Sequence, residues 1–461
     1  MSTDPGAIPG GAPVIDRDQA RRAAEAALEL PGADGVEVLL IGSSVGVTRF
    51  ANSQIIQNTA RDEVRAYVRV AVDHRVASAA TNQLDPVQLK RAAASAMEAA
   101  KASLPDPAWP GLPDPTEVGR PEPVLRWDQD TADASPARRA AAVDDILKAA
   151  GDAGAAGIYE TGAHSYALLS SKGVDCYDAF TRCVTTALLD HGDSTGWGEG
   201  SSHRAASVDH VAAATRAREK ALRGKAPAPG EPGTYEVILE PSAVATLLDY
   251  LSYMGFGAKQ VLEGESFLSA HTGEQVAAPT VTIADDVFDE LSVGIGFDFE
   301  GVPKKRVAVI DHGRATGPVT DRKTAAKLGA PVTGHYSGSG EVGPYATNVV
   351  LDPGDRSREE LIGAVDEGIL VTRFHYVNVL DRPSTLLTGM TRDGTFRISK
   401  GEIVGGLQNF RFAQNVVEAL ASAVGVGSDR VAFAPEYGSF GSTVASSLHL
   451  GAFHFASRTS H

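Results

Sequence analysis

A chain of 461 residues has room for roughly two to four domains and an ample core. Its formal charge of −16, from 58 acidic against 42 basic side chains, argues against nucleic acid or an anionic membrane as the main partner. Two cysteines, Cys176 and Cys183, are too few for a disulfide framework and fit no zinc spacing, so they read as half-buried strand residues. The opening MSTDPGAIPGGAPVIDRD has neither a basic nor an apolar leader region. No apolar run reaches the about 18 residues that would cross a bilayer, so no membrane partner and a cytoplasmic location are expected.

Residues 1–15 are rich in Gly and Pro and are expected to form a disordered tail. An N-terminal α+β domain then spans 16–223. Asp16 is placed to cap an Ala-rich helix from about Arg17 to Leu30. The runs VEVLLIGS, VTRFAN, QIIQN, VRAYVRVAVDH and VASAAT read as short strands, with a tight turn at Asn52-Ser53. In VRAYVRVAV the polar Arg65 and Arg69 alternate with apolar residues, which predicts one wet face. Asp85-Pro86 opens a second helix to about Ser103. Residues 104–124 hold seven prolines and read as an extended connector. Beyond it Ser135-Pro136 caps a helix to about Ala150, a second set of strand-like runs extends to TGWGEGSSH, and a helix from Val208 to Arg223 closes the set. The order helix, β-meander, helix thus occurs on both sides of the connector, a candidate degenerate duplication. Meanders with helices on one face give an α+β class.

The stretch 224–233, GKAPAPGEPG, is the clearest linker. It leads into a β-rich C-terminal domain, 234–461. This domain opens on a buried helix, where Pro241-Ser242 precede Val244, Leu247, Leu248, Leu251 and Met254 at spacings near 3.6, and Gly255 and Gly257 end it. Strands follow at TVTIADD, KRVAVIDHG, ATNVVLDPG, LVTRFHYVNVL, STLLTGMTRDGTFRI, IVGGLQNFRF and SLHLGAFHFAS, with helices at about 358–368 and 413–423.

Helix, Gly-punctuated loop and strand in this order resemble the start of the C-terminal domain of the TldD/PmbA family. TRFANSQIIQ…VRAYVRVAVDH resembles that family's N-terminal domain, and FRISKGEIVGGLQNFRF resembles its C-terminal signature. In the family's metallopeptidase branch this helix carries His-Glu-x-x-x-His, two zinc ligands and a water-activating glutamate. Against LLDYLSYMGFG the corresponding positions are Asp249, Tyr250 and Met254. The family's third ligand, a cysteine near the C-terminus, has no counterpart, since the last Cys is Cys183. Hydrolytic zinc needs about three protein ligands and an open position, and Met is a poor zinc ligand. The resemblance therefore implies the TldE/PmbA-like branch: no catalytic residue, metal or cofactor in this chain, and zinc in a TldD-type partner. The alternative for Asp249, Tyr250 and Met254 is plain core packing.

The Gly-rich loop TGHYSGSGEVGP lacks the ending of a phosphate-binding loop. The resemblance places it near a peptide cleft, which makes Thr333, Gly334, His335 and Tyr336 candidate peptide or partner contacts; the alternative is a flexible loop with an exposed His. Ser339 stands four residues from His335, but no G-x-S-x-G elbow frames it. The acidic pairs Asp285-Asp286, Asp289-Glu290 and Asp298-Glu300 read as solvated strand ends or as cation or acid–base sites. The resemblance implies a heterodimer that degrades or processes unfolded or small peptides, including leader peptides of peptide natural products, with a homodimer when the partner is absent. A stand-alone amide hydrolase of the same family and a scaffolding or peptide-binding protein are the alternatives.

Overall fold

In the computed structural model, which describes residues 14–435 and 440–459, the first half of the chain builds one six-stranded antiparallel sheet. Most of the expected tail, residues 1–13, lies outside the described residues. Helix α1 (Arg17–Leu28) is followed by β1 (Gly35–Ala51), β2 (Gln54–Val72), β3 (Arg75–Thr81) and α2 (Pro86–Ala102). The connector holds one short helix, α3 (Pro115–Val118), and a second, α4 (Gln129–Ala132), follows it. Then α5 (Pro136–Ala150), β4 (Gly154–Ser170), β5 (Asp175–Asp190), β6 (Thr195–Ser202) and α6 (His210–Arg223) repeat the order. The runs that read as separate short strands fuse, because the chain stays paired through each polar interruption. VEVLLIGS and VTRFAN are one strand, paired residue for residue with β2 from Gly35 to Arg49.

The sheet order β3-β2-β1-β4-β5-β6 sets the two units head to head. Their first strands pair antiparallel from Glu37↔Ser170 to Phe50↔Gly157, which relates the halves by a local two-fold axis. Side-chain caps from Asp16, Asp85, Ser135 and Asp209 start the four long helices, each worth about 1 kcal/mol. Their buried faces are mostly alanine, so helix and sheet approach closely. At β6 the approach is close enough to demand glycine. A Cβ on Gly196 or Gly198 would stand 1.9 Å from the carbonyl oxygens of Ala217 and Ala213 in α6. All four helices cover one face. The other face is wet only toward one end: Leu39, Tyr166, Leu168, Cys176 and Phe180 pack on Val293, Ile295 and Phe297 of the second half. Arg69, expected in water, is buried there, while Arg65 at the open end of the strand is exposed.

The second half runs β7 (Gly233–Leu239), α7 (Pro241–Gly255), α8 (Ala258–Glu263), α9 (Leu268–His271), β8 (Ile283–Asp285), β9 (Val307–Asp311), β10 (Arg314–Ala315), α10 (Arg322–Leu328), β11 (Asn348–Leu351), α11 (Arg358–Gly363), β12 (Glu367–Asp381), β13 (Leu386–Ser399), β14 (Glu402–Gly406), β15 (Phe410–Asn415), α12 (Val416–Ala421), β16 (Ala423–Val426), β17 (Val431–Phe433), β18 (Ser442–Ala445) and β19 (Leu448–Arg458). Strands β12, β7, β19, β15 and β13 pair in that order, and β13 pairs back to β12, so the ring closes on itself. Strands β10, β9, β8, β11, β18 and β17 form a second sheet. Helix α7 packs between the two, and its buried residues share one core with β7, β12, β8, β9 and β11. Helix α10 goes unread in the sequence although Asp321 forms a capping box with Thr324 and Gly329 ends it in the left-handed region. The last predicted helix starts later than expected, at Val416, because Asn415 caps it and 410–415 stay in the ring.

Candidate functional site

Helix α7 shows what became of the three aligned positions. Met254 is fully buried in the core shared by the two sheets of the second half. Tyr250 is also buried, and its hydroxyl donates to the Val377 carbonyl at 2.6 Å. Asp249 is half-buried and accepts a hydrogen bond from the Thr443 hydroxyl on β18. A thioether, a phenol already used as a donor and one hydroxyl-bonded carboxylate do not fit a zinc site. Among the described residues no group of three or more His, Cys, Asp or Glu side chains is placed to hold a metal ion.

The Gly-rich loop is anchored rather than free at its start. Thr333, Gly334 and His335 are buried, and Tyr336 is half-buried. His335 Nε2 lies 2.8 Å from Asp285 Oδ2, and its Nδ1 lies 2.9 Å from Thr333 Oγ1. The Thr333 hydroxyl in turn receives the Thr320 backbone N–H at 2.7 Å. Both ring nitrogens are thus engaged by other groups, and the Ser339 hydroxyl accepts from Glu341 N and Val342 N within its own turn. No serine–histidine pair forms here. The exposed-histidine alternative for this loop is corrected: β8 carries Asp285 into the core, and the histidine follows it.

The solvated reading is corrected for two of the acidic pairs, since Asp285, Asp286, Asp298 and Glu300 are buried, while Glu290 is exposed as expected. Burial alone would raise the Asp285 carboxyl, but His335, Lys304 and the Asn348 N–H hold it well below the usual range. Asp298 accepts the backbone N–H groups of Tyr336, Glu300 and Val302 at 2.9 Å each, yet burial still pushes its carboxyl up. Burial also depresses the Lys304 ammonium, which bonds to the Thr347 hydroxyl. Lys304, His335, Tyr336 and Phe440 line a cavity of about 190 Å³.

A larger cleft of about 770 Å³ opens between the first sheet, the connector and the second half. On its floor Arg69 makes an ion pair of 2.9 Å with the buried Glu37, its direct partner in the β1–β2 register. Glu300 approaches the same guanidinium only to 3.7 Å. The Arg69 guanidinium also lies over the Tyr336 ring, 5.0 Å from its centre. Burial raises the Glu37 carboxyl to about 7, against the pull of Arg69, and raises Glu300 as well. The legible signal for this floor was a pair of opposite charges, Glu37 in VEVLL and Arg69 in VRVAV, inside two apolar runs. Glu300, Asp285 and Lys304 join only through the tertiary fold.

Sequence and structure comparisons agree with this architecture. The PmbA/TldA metallopeptidase C-terminal domain matches residues 232–457, and PmbA/TldA metallopeptidase domain 1 matches residues 36–100. A metalloprotease of Methanothermobacter thermautotrophicus is 29% identical over 216 residues, 46% of this chain and 47% of that protein. Metalloprotease MJ0996 of Methanocaldococcus jannaschii is 31% identical over 161 residues, 34% of this chain and 36% of that protein. The chain thus spans about half or less of these curated relatives. The crystal structure of TldE from Thermococcus kodakarensis superposes with a TM-score of 0.83 at 22% identity, covering 95% of this chain and 99% of that one, a likeness of fold. With both domain types matched in sequence order and the whole fold shared, the chain belongs to the TldD/PmbA family.

Proposed function

We propose that this chain is a metal-free, non-catalytic TldE/PmbA-like subunit of a TldD/TldE-type metallopeptidase, which handles unfolded or small peptides together with a zinc-bearing TldD-type partner. The observation that carries the reading is the side-chain set on α7. At the positions of the family's ligands and base, Met254 fills the core, Tyr250 bonds the Val377 carbonyl and Asp249 bonds Thr443. Each is committed to holding the helix between its neighbours. The fold likeness to a TldE protein supports the same branch.

In such a complex this chain shapes and closes the chamber, and the partner supplies zinc, which polarises the scissile carbonyl and activates water. An extended peptide added along a sheet edge is recognised mainly through its main chain, which suits unfolded substrates of varied sequence. Leader peptides of peptide natural products are such substrates. The test is metal content by plasma mass spectrometry on the chain purified alone, together with casein hydrolysis by the chain with and without a TldD-type subunit. Near-zero zinc, no hydrolysis alone and hydrolysis on reconstitution are expected. Stoichiometric zinc, or hydrolysis by the isolated chain that a chelator abolishes, would overturn the reading in favour of a stand-alone hydrolase.

A further inference from the structure

The floor of the large cleft is one of several places where buried polar atoms are left without partners, and the one where an acceptor and a donor lie on side chains that line the same cavity. Glu300 is 4% exposed and Arg69 is 8% exposed, and both line the cleft. Among the described residues Glu300 Oε2 has no hydrogen-bond partner, and neither has Arg69 Nε. One is an acceptor and the other a donor, on side chains that already touch through Glu300 Oε1 and Arg69 Nη2 at 3.7 Å. Buried polar atoms are almost always paired, so two orphans of opposite kind on side chains that line one cavity mark a place for a ligand's polar end.

The charge balance says which end. Glu300 is pulled on by Arg69 and Arg322 but repelled by Glu37, Asp298 and Asp321, and Glu37 already holds the Arg69 guanidinium at 2.9 Å. An extra positive charge beside Glu300 is therefore favoured. The adjacent Arg69 Nε–H wants an oxygen close to that charge. A free amino terminus has this sequence of groups: an ammonium, one carbon, then a carbonyl oxygen.

The walls fit the rest of such a ligand. Trp109 and Leu262 offer apolar surface for a first side chain. Gly338, Gly340 and Gly343 of the Gly-rich loop line the opposite wall, and a Cβ placed on Gly340 would meet no atom within 4 Å. At Gly340 the main chain is open and able to run beside an extended peptide, whereas a Cβ on Gly343 would meet Lys259 at 2.7 Å. Lys327 stands at the cleft as well and favours an acidic residue further along, whereas Lys323 is already paired with Asp106.

We infer that this cleft binds the free amino terminus of an extended peptide, the α-ammonium donating to Glu300 and the first carbonyl accepting from Arg69. This deepens the peptide-handling reading above and rests on it for the class of ligand. The test uses the full chain and a short unstructured peptide labelled at its C-terminus, with an apolar first residue followed by acidic ones. Fluorescence anisotropy compares the free-amine peptide with its N-acetylated twin. A buried charge-assisted hydrogen bond predicts about 10- to 100-fold tighter binding of the free amine. Glu300→Gln, near-isosteric and checked for folding by circular dichroism, is expected to erase the difference. Equal binding of both peptides to the wild-type chain, or binding of neither, overturns the site whatever the variant does. The two readings fail separately. Hydrolysis by the isolated chain would end the metal-free reading and leave ammonium discrimination standing, whereas equal binding would end the site and leave the metal-free reading standing.

Discussion

The surroundings of α7 and the floor of the cleft both hold polar side chains away from water, but they are finished to different degrees. Around α7 and β8 the named groups have partners: the Tyr250 hydroxyl has Val377, Asp249 has Thr443, and Asp285 has both His335 and the Asn348 N–H. At the cleft floor Glu37 and Arg69 are matched, while Glu300 Oε2 and Arg69 Nε are left over. A completed network rigidifies a core, and an incomplete one carries a standing cost. On the proposed reading the α7 positions aligned with a metal site are structural here, and the unfinished chemistry lies elsewhere.

If that contrast holds, damage to the finished region costs the most. Asp285→Ala removes a buried carboxylate and strands His335, Lys304 and the Asn348 N–H. The expected loss is about 3–5 kcal/mol in denaturant unfolding, the scale for breaking one side of a buried pair. The sign with pH follows from the lowered Asp285 carboxyl. Its contribution is fully present above the unfolded carboxylate value near 3.8 and is lost as pH falls through the still lower folded value. The variant should therefore lack part of the wild-type acid sensitivity. Next comes Met254→Ala, expected to cost about 2–5 kcal/mol because the side chain is fully buried among core residues. A cost below about 1 kcal/mol would show that Met254 faces open space rather than core, and would remove the basis for treating α7 as structural.

How much of this was legible in the sequence depends on how local each signal is. Asp16, Asp85 and Ser135 each cap the helix predicted for them, because capping involves only the next three residues. The repeated helix–meander–helix order was readable for the same reason. Burial on the second face of the first sheet was not. Arg69 alternates with apolar neighbours like any residue on a wet face, and only the packing of Val293, Ile295 and Phe297 on that face changes its environment. His335 looked exposed in a loop full of glycine and serine, since the carboxylate that fixes it lies fifty residues upstream at Asp285. The three α7 positions that the family resemblance singles out, Asp249, Tyr250 and Met254, were readable directly from residue type. The cleft floor was the least legible, since Glu37, Arg69 and Glu300 come from three separate stretches.

The smallest expected effect separates the two regions most sharply, because its sign is reversed. Burial raises the Glu37 carboxyl to about 7 and raises Glu300 in the same direction. Between the unfolded value of 4.5 and that range the folded chain holds more protons than the unfolded one, so stability falls as pH rises and levels off above it. Glu300→Gln removes one of the two groups. Below the unfolded value the wild-type carboxyl is protonated and resembles the amide, so little difference is expected. Above about 7 the variant should be the more stable, by about 1 kcal/mol, because the amide does not oppose Glu37 and Asp298. Thermal unfolding of both proteins across this pH range reads the difference. A variant equally destabilised at every pH would mean that Arg69 fully compensates Glu300, and the cleft floor would then be as finished as α7. A gain that opens with rising pH, and shrinks when the free-amine peptide stabilises the wild type more than the variant, would show an acid kept unpaired for an incoming cation.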